Sequence, residues 1–386
     1  MALALNLRSV VSSIGVSLDE LMPALSMSGG TAGLLTTLPV LSFAFFGATA
    51  NAIARTVGLH RTAALSLVAL TLGMGVRGLV DSTWLFMVAT TIALAGAAVG
   101  NVILPPLVKR HFPNRVGIVT AIYTTAMLIG AALPPAVTVP IADAAGGWRA
   151  GLEAWAIMAA VCLLPWLTML GHDVHPSTTR RSTVPISMVV RSPMAWAMAV
   201  FFGVQSSNAY VVLGWLAPAY TDAGLSRTAA GLMVGIVQSL GIPVALLLPQ
   251  LTRRLPNQAL LPIAFSVLSA AGWLGVMAAA DTVPWLWAIM LGIGCGAFPW
   301  VLSMIGLRTN TPSGTVALSG FVQSIGYLIA ALGPLGVGLL HDATDSWTLP
   351  LLVLAGTSML MLVGLVFARP RYFEDALPSE TREVPR

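Results

Sequence analysis

The stretch from Trp84 to Leu107, WLFMVATTIALAGAAVGNVILPPL, carries no charged side chain in 24 positions. At 1.5 Å per helical residue it reaches roughly 36 Å, more than the ~30 Å hydrocarbon core of a bilayer. Backbone groups in lipid have no water to bond, so a helix is the economical form for such a run. Outward from it, charged and turn residues cut the chain into twelve spans. They are expected near 2–22, 30–54, 62–80, 84–107, 116–140, 148–170, 193–220, 227–251, 259–280, 284–307, 315–340 and 347–368. Of 386 residues, 57% are hydrophobic and 9% charged, with a mean hydropathy of +0.87. A soluble domain is charged at about 25% of its positions, so soluble enzymes and disordered chains are excluded. The net charge of +5 lies in short clusters between spans, which argues against nucleic acid as a partner. Cys162 and Cys295 fall inside apolar runs, and no CxxC, HExxH or Walker-type motif occurs. No disulfide framework, metal site or cofactor is expected.

Orientation follows from the basic residues. With the N-terminus inside, 15 of the 19 lysines and arginines fall on inner loops and the tail, while Arg77, Arg149 and Arg227 fall outside. The positive-inside rule therefore selects cytoplasmic N- and C-termini. The first span lacks a basic start and a cleavage site, so it is expected to be retained. The longest polar stretch, 171–192, divides an N-terminal six-helix bundle (1–170) from a C-terminal one (193–368), followed by a tail at 369–386. Trp84, Trp148, Trp285 and Trp347 near span ends read as interfacial anchors.

The halves repeat one another at nearly constant offset. Ser28-(x)3-Ala32-Gly33-Leu34 recurs as Ser226-(x)3-Ala230-Gly231-Leu232, and Arg55 recurs as Arg253. Gly100-(x)4-Pro105 recurs as Gly294-(x)4-Pro299. Ala131-Ala132-Leu133-x-Pro135 recurs as Ala330-Ala331-Leu332-x-Pro334, with Asp143 and Trp148 matched by Asp342 and Trp347. An even number of helices per half makes this a parallel repeat with its axis along the membrane normal. Transporters with such repeats bind substrate near mid-membrane between them.

Further stretches carry a family resemblance. They are Asn6-Leu7-Arg8, Ala32-Gly33-Leu34-Leu35-Thr36-Thr37-Leu38-Pro39-Val40, Gly100-Asn101-Val102-Ile103-Leu104-Pro105 with Val108-Lys109-Arg110, Gly214-Trp215-Leu216-Ala217-Pro218, Phe298-Pro299 and Gln323-Ser324-Ile325-Gly326-Tyr327. The chain resembles the major facilitator superfamily, and within it the cyanate / 2-nitroimidazole transporter family. Two pieces depart from the superfamily pattern. Arg55 stands where the loop after helix 2 usually has an acid, and Gly130-Ala131-Ala132-Leu133-Pro134-Pro135 lacks the paired glycines associated with antiport. The resemblance implies an all-α membrane protein of 12 transmembrane helices in two pseudo-symmetric bundles. It also implies that helices 1, 4, 7 and 10, with 2, 5, 8 and 11, line a central cavity.

Arg8 is the sharpest candidate, because a charge inside a membrane helix costs about 3 kcal/mol and needs a reason. The alternatives to an anion site are snorkelling to the surface and a structural ion pair. Asn6, Asn101, Tyr123, Thr124, Gln205, Asn208, Gln238, Gln323 and Tyr327 are further mid-depth polar candidates for substrate binding, and Trp215 and Trp300 are candidate walls. Interhelical hydrogen bonding is the alternative role for each. Repeat equivalence sets Arg8 against Ser206, beside Gln205. Glu153 is the acid inside a span and the candidate coupling site, although Arg149 four residues earlier offers it a local ion pair.

A deep arginine without a deep acid points to an anionic or strongly dipolar substrate. The expected function is a secondary active transporter that moves a cyanate-like, nitro-aromatic or carboxylate solute by alternating access, not an enzyme. The alternatives are a proton-coupled efflux pump for nitroimidazole- or drug-like compounds and a transporter-like receptor. The expected partners are a small-molecule substrate, the lipid bilayer and protons, and the expected setting is the inner membrane, as a monomer.

Overall fold

Helix after helix in the computed structural model follows the apolar runs. The structure describes residues 2–167, 186–255, 257–310, 312–369 and 373, so the expected linker falls mostly, and the tail almost wholly, outside the described residues. The first half comprises α1 (Ala2–Gly15), α2 (Leu18–Ala24), α3 (Gly29–Val57), α4 (Leu59–Leu79), α5 (Thr83–His111), α6 (Val116–Ala145) and α7 (Trp148–Leu167). A short α8 (Ile186–Val190) precedes α9 (Pro193–Asp222), α10 (Arg227–Arg254), α11 (Leu260–Ala279), α12 (Pro284–Gly294), α13 (Ala297–Leu307), α14 (Pro312–Thr344), α15 (Thr348–Ser358) and α16 (Leu365–Ala368). Among the described residues, 11 helical stretches are long and apolar enough to cross a membrane, with α12 and α13 counted as one and α15 and α16 as another. The broken pair α1 and α2 supplies the twelfth. The helices outrun the apolar runs, so Asp143 and Asp342, expected in loops, lie in the last turns of α6 and α14.

Packing divides the chain into two compact units. The first holds Met1–Ser177, Val211–Ser239 and Pro334–Asp345, and the second holds Thr178–Tyr210, Leu240–Gly333 and Ser346–Arg386. Within the first unit, α1 is enclosed. From Leu3 to Gly15 every residue except Leu5 and Arg8 is buried, including Asn6, Ser9, Ser12 and Ser13. Gly130 of α6 makes this possible, since a Cβ there would stand 1.9 Å from the Leu5 carbonyl oxygen. The motif at 130–135 thus serves backbone-to-backbone packing.

Buried arginines correct the orientation arithmetic. Arg77, expected on the outer surface, is fully buried within the first unit. Its guanidinium donates to the Val10 carbonyl (3.1 Å) and the Ser13 hydroxyl (3.0 Å). These acceptors lie in the last two turns of α1, where a helix end carries about half a negative charge. Arg308, expected in an inner loop, is also buried. In the second unit it donates to the Phe367 and Ala368 carbonyls at the end of α16 and to Gln258 Oε1. Trp148 is another correction. It is buried and packs its ring 6.3 Å from Phe86, whereas Trp84 and Trp285 are exposed as anchors should be.

Asn208 organises the second unit. Its side-chain oxygen accepts from Trp273 Nε1 of α11 and from the Ser358 hydroxyl of α15 (3.0 Å), and its amide donates to the Val204 carbonyl (2.9 Å). Asn208→Ala would leave two buried donors without an acceptor. The expected loss is about 1–3 kcal/mol of stability, read as a lower Tm of the detergent-solubilised protein. An unchanged Tm would show that the node contributes nothing.

Candidate functional site

In the first unit the candidates lie on α1, α5, α6 and α10. Arg8 projects at the one break in that helix's packing, which it shares with Leu5 one turn away. Its guanidinium carbon lies 5.5 Å from the centroid of the Phe43 ring on α3, a cation–π contact. Among the described residues no carboxylate pairs with Arg8. Arg77 and Arg308 are met by carbonyls, whereas among the described residues the half-buried Arg8 guanidinium meets an aromatic ring. Asn6 is fully buried beside it along the helix. Asn101 of α5, Tyr123 of α6 and Gln238 of α10 are half-buried, and Thr124 of α6 is exposed.

Glu153 of α7 does not pair with Arg149. Arg149 instead bonds Asp81 and stacks on Trp148, 4.3 Å from its ring centroid. Glu153 lies half-buried against α4, where the missing side chain of Gly78 leaves it room. A Cβ on Gly78 would meet Glu153 Cγ at 2.7 Å. The expectation of an i–4 ion pair fails because Asp81, from the loop between α4 and α5, holds the guanidinium instead.

In the second unit, Gln323 and Tyr327 are half-buried one turn apart on α14. Gln323 donates to the Ser319 hydroxyl (2.7 Å), and the Tyr327 ring meets Phe202 edge-on at 5.1 Å. Gln205 is buried, donates to Ser206 Oγ, and keeps Oε1 without a partner. It shares a face of α9 with Phe201 and Asn208, whose partners lie inside this unit. Trp300 is a core residue and not a cavity wall. Its fully buried ring is packed between Phe201 (5.2 Å), Phe265 (6.1 Å) and Phe367 (5.2 Å). Asn208 is likewise committed to its three structural bonds. Among the described residues no group of three or more metal-ligating side chains occurs.

Trp215, expected like Trp300 as a cavity wall, is buried and ties three helices of the first unit. Its indole donates to Thr36 Oγ1 of α3 (3.1 Å) and to the Pro334 carbonyl of α14 (3.0 Å).

A family model described as the Major Facilitator Superfamily matches residues 3–331. The chain belongs to the Major Facilitator Superfamily. It is 33% identical to the 2-nitroimidazole transporter of Escherichia coli, over 96% of this chain and 94% of that protein. It is 29% identical to the cyanate transport protein of the same organism, over 96% of each. In fold it matches a crystal structure of the nucleoside transporter NupG, with a TM-score of 0.78 at 13% identity over 95% of this chain and 98% of that one. This superfamily member is a multi-pass membrane protein and a secondary transporter of a small solute. Its homologues and fold are those of transporters and point away from an enzyme.

The indole nitrogen of Trp300 has no hydrogen-bond partner, so Trp300→Phe removes no bond. The expected cost is about 1 kcal/mol or less, against roughly 3–5 kcal/mol for Trp300→Ala. Thermal unfolding of both variants checks the difference. Equal losses would show that the indole N–H matters in a way its surroundings do not reveal.

Proposed function

We propose that the transported solute is a small anion or a strongly dipolar organic molecule whose negative end is held by Arg8. The observation that carries this reading is the contrast among the buried cations. Arg77 and Arg308 have oxygen acceptors from the protein, while among the described residues Arg8 is offered the Phe43 ring alone. A partly desolvated guanidinium without an acceptor is poised for one that arrives with the substrate. Its planar fork suits a carboxylate, a nitro group or a cyanate-like ion, and Phe43 adds an apolar face for the body of the molecule. The homologues that carry 2-nitroimidazole and cyanate support this class. Asn101, Tyr123, Thr124, Gln238, Gln323 and Tyr327 are the remaining polar candidates for orienting the solute. The two bundles, 1–170 and 193–368, rock about this site in the inner membrane of the cell, with both termini cytoplasmic and the protein acting as a monomer.

Arg8→Ala is expected to weaken binding of 2-nitroimidazole or cyanate by roughly 30- to 150-fold, the equivalent of about 2–3 kcal/mol. Arg8→Lys is expected to fall between, since it keeps the charge and loses the fork. Calorimetric titration of folded protein measures both. Parent-like affinity in Arg8→Ala would end the anion-site reading.

Proton-coupled export is the second reading, and the observation that favours it is Glu153, half-buried and released from Arg149. The first reading requires no carboxylate in the substrate site. Glu153→Gln vesicles are then expected to accumulate substrate under a proton gradient as the parent does. Loss of accumulation with binding intact would move coupling to Glu153.

A further inference from the structure

The sequence repeat has a counterpart in the packing of the first unit, at the end that carries α2. Two helix crossings there follow the same register. In one, Gly33 of α3 meets the Pro334 carbonyl of α14, where a Cβ would stand 3.1 Å from that oxygen. In the other, Gly231 of α10 meets the Pro135 carbonyl of α6, where a Cβ would stand 2.2 Å away. Both facing helices carry an aspartate eight residues past that proline, Asp342 and Asp143. Each aspartate reaches the first residue of the helix it crosses, and that helix is capped by an equivalent serine. Ser28 accepts from the Thr31 N–H (3.2 Å), and Ser226 from the Ala229 N–H (3.2 Å).

The two crossings then differ in chemistry. Asp342 accepts two backbone bonds, from Gly29 N–H (2.7 Å) and Gly30 N–H (2.6 Å) at the start of α3. The bare Gly29 lets the carboxylate come this close, since a Cβ there would stand 2.2 Å from Asp342 Oδ1 and displace it. At the equivalent of Gly29, α10 has Arg227. Asp143 stands 3.8 Å from its guanidinium, and Glu20 of α2 bonds it directly. One aspartate therefore holds a helix end through its amides, and the other through a side chain it shares with a second acid.

We propose that Asp342 and Asp143 are symmetry-related positioning residues for transport, a pair of latches that hold this end of the carrier shut, with Asp342 the stronger. Alternating access requires the halves to part here once per cycle, and α3 and α14 come from different halves. The Asp342 carboxylate on the positive end of α3 opposes that parting. Asp143 contributes less, since Arg227 keeps Glu20 when Asp143 is removed. The proposal rests on the transport function and not on Arg8 or on any particular substrate.

Ala32, fully buried one turn inside the α3 start, reports on the latch. The test uses full-length protein in detergent, with Cys162 and Cys295 replaced by serine and Ala32→Cys as the reporter. The rate of modification by a polar maleimide is measured, and Ala159→Cys in the buried interior of α7 serves as the control for unfolding. Asp342→Asn is expected to raise the Ala32→Cys rate about 3- to 10-fold, and Asp143→Asn by less, with Ala159→Cys unreactive in both. Asp342→Glu, which retains the charge, is expected to restore part of the protection. An unchanged rate in Asp342→Asn, a larger effect from Asp143→Asn, or a parallel rise at Ala159→Cys would overturn the proposal. Because no substrate is present, failure here is distinguishable from failure of the anion-site reading, which the Arg8 titrations decide.

Discussion

A guanidinium that leaves water has to be met by acceptors, and much of this protein's interior follows from how it meets that demand. Carboxylates are scarce inside the spans, so uncharged oxygens do the work. Arg77 donates to the Val10 carbonyl and to the Ser13 hydroxyl, in the C-terminal half of α1, which ends before the break at Val16–Ser17. The end of α16 receives Arg308 in the same way. A carbonyl end carries partial charge without the desolvation penalty of a full ion, so the pairing is cheaper in a low-dielectric interior than a buried carboxylate would be. Arg8 is conspicuous because it is left out of this arrangement.

Close backbone approach is the second constraint. Gly130 against Leu5 and Gly231 against Pro135 put carbonyl oxygens where a side chain would otherwise stand. In a membrane, small residues of this kind allow helix association that the hydrophobic effect does not drive. Trp215 adds one indole bond to each of two helices beneath the α3–α14 crossing. The repeated Ala-Gly-Leu and Ala-Ala-Leu-x-Pro motifs are the two surfaces of these crossings. Their recurrence therefore records shared packing.

The architecture was legible in the sequence because it depends on one-dimensional quantities. Span length, apolar run and turn residues predicted all twelve crossings, since an unpaired backbone in lipid leaves helix as the available form. The repeat and the family resemblance were legible for a similar reason. Backbone contacts admit few residue types, so glycine and proline persist at fixed positions. Arg8 was legible as a charge out of place.

What a polar side chain faces was decided only in three dimensions. Trp300 and Asn208 looked as available as Gln323 and Tyr327, yet one is enclosed by three phenylalanines and the other bonds two helices distant in sequence. Arg77 ends its apolar run and so reads as a surface charge, and only the fold brings the Val10 carbonyl and the Ser13 hydroxyl of α1 to it. Glu153 lost its helical neighbour to Asp81, 68 residues from Arg149. Hydropathy and spacing fix where along a helix a residue lies, but a helix presents several faces at every level. Which face meets protein, lipid or solute depends on partners that the chain supplies from elsewhere.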